Sequence, residues 1–253
     1  MSNIVNDSTS QEILNVLQKN KAMSIGDIAN EIYISPSSVR RKLSALQEQG
    51  LVIRTHGGAR IDESGNMFPS FSFRSQQNSF QKKKIAMFAT KCVKDGDFVF
   101  LDGSTSAFFL SEYLKNFKNI RVMTNGIDTI STLSKYNVEA YSTGGKISDT
   151  NRAVLVGQNA INTIEHYHAD VFIFSAQSVD AHGNIYDCFE EENFLRIAMM
   201  KNADKKIFLC DSSKLGKASM FKLCHVKDVN YIISDADLSS YFEQNYKNKI
   251  LTT

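Results

Sequence analysis

Cysteine is scarce in this chain, and none of it is paired by spacing. Cys92, Cys188, Cys210 and Cys224 form no C-x-x-C motif, and three of the four sit in apolar stretches. That pattern reads as reduced thiols rather than a disulfide framework. The five histidines include no H-E-x-x-H and no Cys/His zinc spacing, so no metal site is assigned and no cofactor is expected. Long apolar runs are missing too. The longest stretches, such as Asp170–Phe174, are strand-sized, well short of the ~18–20 residues of a membrane helix. The opening residues, Met1–Asp7, lack the basic-then-apolar signature of a leader peptide. The expectation is a cytoplasmic chain with no membrane partner.

What is present is the composition of an ordinary folded protein, 42% hydrophobic and 22% charged over 253 residues, enough for about two domains. The net charge is only +2, but its placement is uneven. Residues 1–60 hold seven basic against five acidic residues, and the rest of the chain is balanced. Between Arg40 and Arg60 five basic residues face one acid, so a polyanion would meet the chain there.

The first 60 residues carry helix signals at close intervals. Thr9-Ser10-Gln11-Glu12 has the capping-box pattern and precedes the apolar stripe Ile13, Leu14, Val16, Leu17. Ser24 is a second cap, followed by Ile25, Ile28, Ala29 and Ile32 at the spacing of one helix face. After a tight connection at Tyr33-Ile34, Ser35 caps a third helix whose first residue is Pro36. In that helix Val39, Leu43 and Leu46 point one way. Ser37, Arg41, Ser44 and Glu48 lie nearly opposite, with Ser38 and Arg40 flanking them. Small hydroxyls followed by arginines suit a major groove, where they meet phosphates and guanine edges. Gly50 stops the helix, and two β-like runs around Gly57-Gly58 read as a basic hairpin. Three helices and a hairpin make a winged helix-turn-helix. Its candidate contacts to double-stranded operator DNA are Ser35, Ser37, Ser38, Arg40, Arg41, Lys42, Ser44, Arg54, His56, Gly57 and Gly58.

Residues 61–79 read as a linker, with Phe68, Phe71 and Phe73 docking as an extended segment. From residue 80 to 253, strands and helices alternate. Strand-like runs fall at Phe98–Asp102, Ile120–Thr124, Val138–Ser142, Val171–Phe174, Lys206–Cys210 and Tyr231–Ser234. Helices are read at Phe80–Val93, Ala107–Leu114, Ile127–Leu133 and Glu190–Asn202. Alternation implies a mostly parallel sheet covered on both faces, a Rossmann-like α/β domain. Ligands of such sheets sit at the carboxyl ends of strands. Those ends carry Asp102-Gly103-Ser104-Thr105-Ser106, Thr124-Asn125-Gly126, Thr143-Gly144-Gly145-Lys146, Ser175-Ala176-Gln177-Ser178-Val179-Asp180 and Asp211-Ser212-Ser213-Lys214. A helix start with hydroxyls at Gly103–Ser106, together with Lys214, suits a phosphate, with Gly144-Gly145 admitting close backbone approach. Asp102, Asn125 and Asp180 are then expected to bond sugar hydroxyls. Thr124, Lys146 and Gln177 complete the candidate set. The alternative is an isomerase or deaminase, with Asp180 or one of Glu190, Glu191 and Glu192 as base. A solvated acidic helix start accounts for the Glu run, and no catalytic residue is assigned.

Two runs carry a family resemblance. Ser35-Pro36-Ser37-Ser38-Val39-Arg40-Arg41-Lys42-Leu43 and Gly50–Ala59 resemble V-S-x-x-T-I-R-R-D-L and G-x-x-x-R-x-H-G-G-A of the DeoR family of bacterial transcription regulators. Lys42 stands where Asp is usual, and Ser38 where Thr is usual. The family's effector-domain pattern, D-x-G-T-T, T-N, G-G, G-x-D, E-A-x-x-K-R-A-M and D-x-S-K, is matched in order by Asp102–Ser106, Thr124-Asn125, Gly144-Gly145, Ser178–Asp180, Glu192–Met199 and Asp211–Lys214. Departures are Ser175 and Ser178 for glycines, Asn193 for Ala and Ile197 for Arg. The resemblance implies a domain similar to ribose-5-phosphate isomerase and glucosamine-6-phosphate deaminase. It also implies a regulator, mostly repressive in this family, controlled by a phosphorylated sugar. One helix-turn-helix per chain and two-fold operators imply a homodimer or higher homo-oligomer.

Overall fold

The computed structural model describes residues 8–48, 51–60, 71–216 and 218–253. The chain divides into two compact units, Met1–Gln76 and Gln77–Thr253.

In the first unit, α1 (Ser8–Asn20), β1 (Ala22–Ser24), α2 (Ile25–Glu31) and α3 (Pro36–Glu48) precede the hairpin β2 (Ile53–Thr55) and β3 (Gly58–Arg60). A short α4 (Phe71–Gln76) follows. The apolar stripes converge as their spacing predicts. Ile13, Leu14 and Leu17 of α1, Ile25, Ile28 and Ala29 of α2, and Val39, Leu43 and Leu46 of α3 form one buried core. Each of these isoleucine, leucine and valine side chains contributes about 1.5–3 kcal/mol on burial. Ser24 caps α2 by accepting the Asp27 N–H at 3.1 Å, and Ser35 accepts the Ser38 N–H at 3.2 Å. Thr9 is not a cap, because α1 already includes Ser8.

Between α2 and α3 the chain turns within a few residues. Ile34 N–H donates to Ala29 O at 3.0 Å, and Tyr33 takes the left-handed conformation at φ 56°. A side chain there costs roughly 1–2 kcal/mol that glycine avoids. The wing is a three-stranded antiparallel sheet in the order β1-β3-β2, turning at Gly57 with φ 85°. Its third strand, β1, is only three residues long and shows no alternation that sequence could reveal.

Phe71 and Phe73 correct an expectation. They lie on α4 rather than an extended segment, and Phe73 is buried in the core of the first unit. Packing that ring, rather than any linker role, decides the conformation, so this unit runs on to Gln76. Gly50 and Phe68 lie outside the described residues.

The second unit opens with α5 (Ser79–Ala89) and then alternates β4 (Phe98–Leu101), α6 (Thr105–Leu114), β5 (Arg121–Thr124), α7 (Ile127–Lys135) and β6 (Glu139–Ser142). A two-stranded excursion, β7 (Lys146–Ile147) and β8 (Leu155–Val156), leads to α8 (Gln158–Glu165) and β9 (Ala169–Ser175). Then come β10 (Ser178–Val179), β11 (Asn184–Asp187), α9 (Glu190–Lys201), β12 (Ala203–Leu209), β13 (Phe221–His225), β14 (Tyr231–Ser234) and β15 (Ile250–Thr252). Seven strands form one parallel sheet, ordered β15-β14-β12-β9-β4-β5-β6. Strands β10, β11 and β13 make a small antiparallel sheet beside it.

The two faces of the large sheet divide by residue type, because successive strand side chains alternate. Phe98, Phe100, Phe172, Phe174 and Phe208 face α8 and α9. Phe172 and Phe174 stack at 4.9 Å between ring centroids. On the opposite face Val99, Leu101, Val122, Val171, Ile173, Ile207 and Ile233 meet α5, α6 and α7. From β4 the chain proceeds outward through β5 and β6, then returns to β9 on the other side of β4 and continues to β15. That reversal makes the carboxyl ends of β4 and β9 the topological switch point, where open parallel sheets bind ligands.

Candidate functional site

Two sites emerge, one on each unit. On the first, α3 presents Ser37, Arg40 and Arg41 to solvent beyond the exposed cap Ser35, with Ser38 and Ser44 half-buried. Ser35 Oγ is bonded to Ser37 Oγ at 2.9 Å and donates to Ser38 Oγ at 3.0 Å, which sets their positions before any partner arrives. Ser44 Oγ donates to Arg40 O at 3.1 Å and accepts from Arg54 Nη1 at 2.9 Å. Arg54 therefore ties the wing to α3. His56 and Gly57 are exposed at the hairpin tip.

Two expected DNA contacts do not reach this surface. Lys42 is buried, because it follows Arg41 onto the side of α3 that carries Val39 and Leu43. Gly58 is buried against β1, where a side chain would collide with the Met23 carbonyl. Its lack of a side chain serves the sheet.

On the second unit, the switch point is crossed by a buried ion cluster that spacing alone did not reveal. Arg196, on α9, donates from Nε to Asp102 Oδ2 at 2.8 Å and from Nη2 to Glu192 Oε2 at 3.1 Å. Its Nη1 lies 3.3 Å from Asp187 Oδ2. Burial works against the charge of this guanidinium, but Asp187, Asp102 and Glu192 outweigh it and hold its pKa above the usual arginine value. Asp102 also accepts from Ser104 Oγ at 2.6 Å and from Ser175 N–H at 3.4 Å. With the Ser104 N–H at 3.2 Å as well, four donors from three residues occupy a carboxylate expected to be free for sugar hydroxyls. Glu192 corrects a second expectation. It is 3% exposed and bonded to Asn151 Nδ2 at 2.7 Å, so the acidic start of α9 is not simply solvated. The Asn193 Nδ2 group beside it has no hydrogen-bond partner among the described residues.

The glycines are also occupied otherwise than expected. The space beside Gly103 is filled by Val154, and that beside Gly145, at φ 97°, by the Val156 carbonyl. Both admit the β7–β8 excursion, whereas Gly144, at φ 66°, faces open space. Lys146 is exposed and pairs with Glu191 at 3.1 Å and Asp149 at 3.6 Å. Glu191, the first cause, and Asp149 push its pKa up.

At the start of α6, Ser104 caps by accepting the Ala107 N–H at 3.2 Å. Thr105 and Ser106 follow, and neither side chain has a hydrogen-bond partner among the described residues. Thr124 Oγ1 accepts the Gly126 N–H at 3.0 Å, and Asn125 Nδ2 donates to Leu155 O at 3.2 Å. Lys214 Nζ donates to Ala176 O at 2.6 Å and stands 3.9 Å from Asp211 Oδ2. Gln177 is exposed and accepts from Ser219 Oγ at 3.4 Å.

Asp180 turns back on its own hairpin, accepting from Asn184 N–H at 2.8 Å, Asn184 Nδ2 at 2.9 Å and Tyr186 Oη at 2.9 Å. Burial raises its pKa, but these donors outweigh that and hold it below the ordinary value. All four cysteines are free thiols. Burial pushes Cys210 and Cys224 up to about 12, which makes them inert. Among the described residues no cluster of ligating side chains fits a metal ion, and no helix is long and apolar enough to cross a membrane.

A winged helix-turn-helix with a basic outer row, joined to an α/β domain with a topological switch point, defines a class: transcription regulators that couple a DNA-reading head to a sensor. The comparisons narrow it. Residues 77–236 match the DeoR C-terminal sensor domain, and residues 10–65 match the DeoR-like helix-turn-helix domain. The chain belongs to the DeoR family, which consists of DNA-binding transcription regulators and not enzymes. It is 32% identical to the HTH-type transcriptional repressor GlcR of Bacillus subtilis, over 88% of this chain and 86% of that one. It is 31% identical to the L-fucose operon activator of Haemophilus influenzae, over 91% and 93%. Among solved structures, ribose 5-phosphate isomerase of Methanocaldococcus jannaschii aligns with a TM-score of 0.41 and 19% identity, over 55% of this chain and 56% of that one.

Proposed function

We propose that this regulator represses a carbohydrate-metabolism operon and that a phosphorylated sugar bound at the sheet's switch point sets its operator affinity. The observation that carries the reading is the start of α6. Thr105 and Ser106, both buried, place hydroxyls with no hydrogen-bond partner among the described residues at a helix N-terminus at the switch point, and such a terminus favours a phosphate. Lys214 is the cation assigned to it. Asn125 and Gln177 are assigned to the sugar, while Asp102 and Asp180, already bonded within the fold, are not. A relative named for an L-fucose operon supports a carbohydrate as the signal.

On the DNA side, Ser35, Ser37, Ser38, Arg40, Arg41 and Ser44 are assigned to the major groove, and Arg54, His56 and Gly57 to the flanking phosphates. A single helix-turn-helix per chain supports a homodimer or higher oligomer on a two-fold operator, acting in the cytoplasm. The test is a thermal-shift screen of sugar phosphates on the full chain, followed by Thr105→Ala and Lys214→Ala. Both variants are expected to lose the shift and to keep binding a duplex selected by the wild-type chain from random sequence. Unchanged ligand response in both variants would move the phosphate elsewhere.

A further inference from the structure

Tyr33 is the most exposed large apolar side chain among the described residues, at 94%, and its backbone is left-handed at φ 56°. Either property alone is unremarkable on a protein surface; their coincidence is not. The position directly follows Ile32, the C-cap of α2, and there glycine or asparagine closes the turn without a steric penalty. Among the described residues the ring packs against no core in exchange. Its hydroxyl has no hydrogen-bond partner among the described residues, and the ring is absent from the core of the first unit. Backbone strain retained without internal compensation marks positions whose compensation comes from a binding partner.

Its place in the turn says which partner. Tyr33 stands two residues before Ser35, whose side chain organises the hydroxyl cluster at the start of α3. The exposed Arg40 and Arg41 follow along the same helix. A ring at the mouth of the DNA-reading helix borders the groove rather than entering it, and what borders a groove is the sugar–phosphate backbone. We infer that Tyr33 is a DNA-backbone contact, its hydroxyl donating to a phosphate oxygen at the edge of the groove occupied by α3. This rests on α3 being the DNA-reading helix. Because the donor is neutral, it adds affinity without adding to the counterions displaced by arginine and lysine.

The test uses the full chain and two duplexes of equal length, one of random sequence and one selected by the wild-type chain from a random pool. Binding is read by fluorescence anisotropy at several salt concentrations. Tyr33→Phe keeps the ring and the fold. It is expected to weaken both duplexes by the same factor, on the order of 3- to 10-fold, with an unchanged slope against log salt. Tyr33→Asn relaxes the backbone and is expected to raise the melting temperature while weakening both duplexes at least as much. Wild-type affinity of Tyr33→Phe for both duplexes would overturn the inference, as would a loss confined to the selected duplex, which would mean base reading. Arg41→Ala is run alongside as the control on the underlying reading. If it leaves binding to the selected duplex intact, α3 itself is misplaced, whatever Tyr33 does.

Discussion

Arg196 shows how one residue ties several elements together at the switch point of the sheet. A single guanidinium, 4% exposed, answers three carboxylates from the end of β4, from β11 and from its own helix. Burying such a cluster carries a large desolvation cost, but removing the central cation leaves three charges unanswered, which typically costs 3–5 kcal/mol. Arg196→Ala is therefore expected to lower the stability of the second unit by about that amount in urea unfolding. Arg196→Lys should fall between, because an ammonium lacks the planar fork that reaches several carboxylates at once. If Arg196→Ala unfolds at the wild-type urea concentration, the cluster contributes no net stability.

Asp180 gives a pH prediction of definite sign. Its folded pKa is depressed below the ordinary 3.8 by Asn184 and Tyr186. The stabilisation is complete above that ordinary value and is lost as pH falls through the folded one. An Asp180→Ala variant should differ from wild type by a constant amount at neutral pH. The difference should shrink only in acid, below about pH 4. A difference that already narrows between pH 7 and 5 would assign it to another group.

At the scale of elements, the wing is held by two contacts that do different work. Gly58 lets β3 lie against β1, and a side chain there must displace the Met23 backbone. Gly58→Ala is expected to destabilise the first unit by about 1–3 kcal/mol and to weaken operator binding with it. Arg54 reaches Ser44 and is assigned to a phosphate. Arg54→Ala should weaken all duplexes alike and reduce the salt slope by about one, whereas Ser44→Ala should leave that slope unchanged. Wild-type salt dependence in Arg54→Ala would confine Arg54 to its bond with Ser44.

These elements also mark what could be read from the sequence. The helix stripes of α1 to α3, and strands β4, β5, β9 and β14, were legible because each is a strong local period or a continuous apolar run. Strand β14 agrees residue for residue, Tyr231–Ser234. What escaped was short or non-local. The pairs β7–β8 and β10–β11 involve strands of only two to four residues, and α8 follows Gly157 with no capping side chain. The strand ends at the switch point can be read from the alternation. The bond between Asp102 and Arg196, 94 residues apart, was not, because no local pattern encodes it. Its one trace is the i, i+4 spacing of Glu192 and Arg196.

For the whole molecule, the sensor reading makes a demand that neither unit satisfies alone. A ligand changes operator affinity only by as much as it binds the DNA-competent and DNA-incompetent states differently. Linkage then fixes the reverse effect: if a sugar phosphate lowers operator affinity by some factor, operator lowers sugar-phosphate affinity by the same factor. The switch point contains arrangements that a ligand can bias. The Lys146–Glu191 pair is exposed, and the Asn151–Glu192 bond connects the β7–β8 excursion to α9. An anion drawing on Lys146 competes with Glu191, so Lys146→Ala is expected to change the coupling factor more than it changes ligand affinity in the absence of DNA. Anisotropy titrations of the selected duplex with and without the best-stabilising sugar phosphate give one factor. Calorimetric titrations of that sugar phosphate with and without duplex give the other. Equal factors above about fivefold, the lower range of typical coupling, establish the sensor. Identical isotherms for every stabilising ligand would leave a DNA-binding regulator whose second unit senses something else.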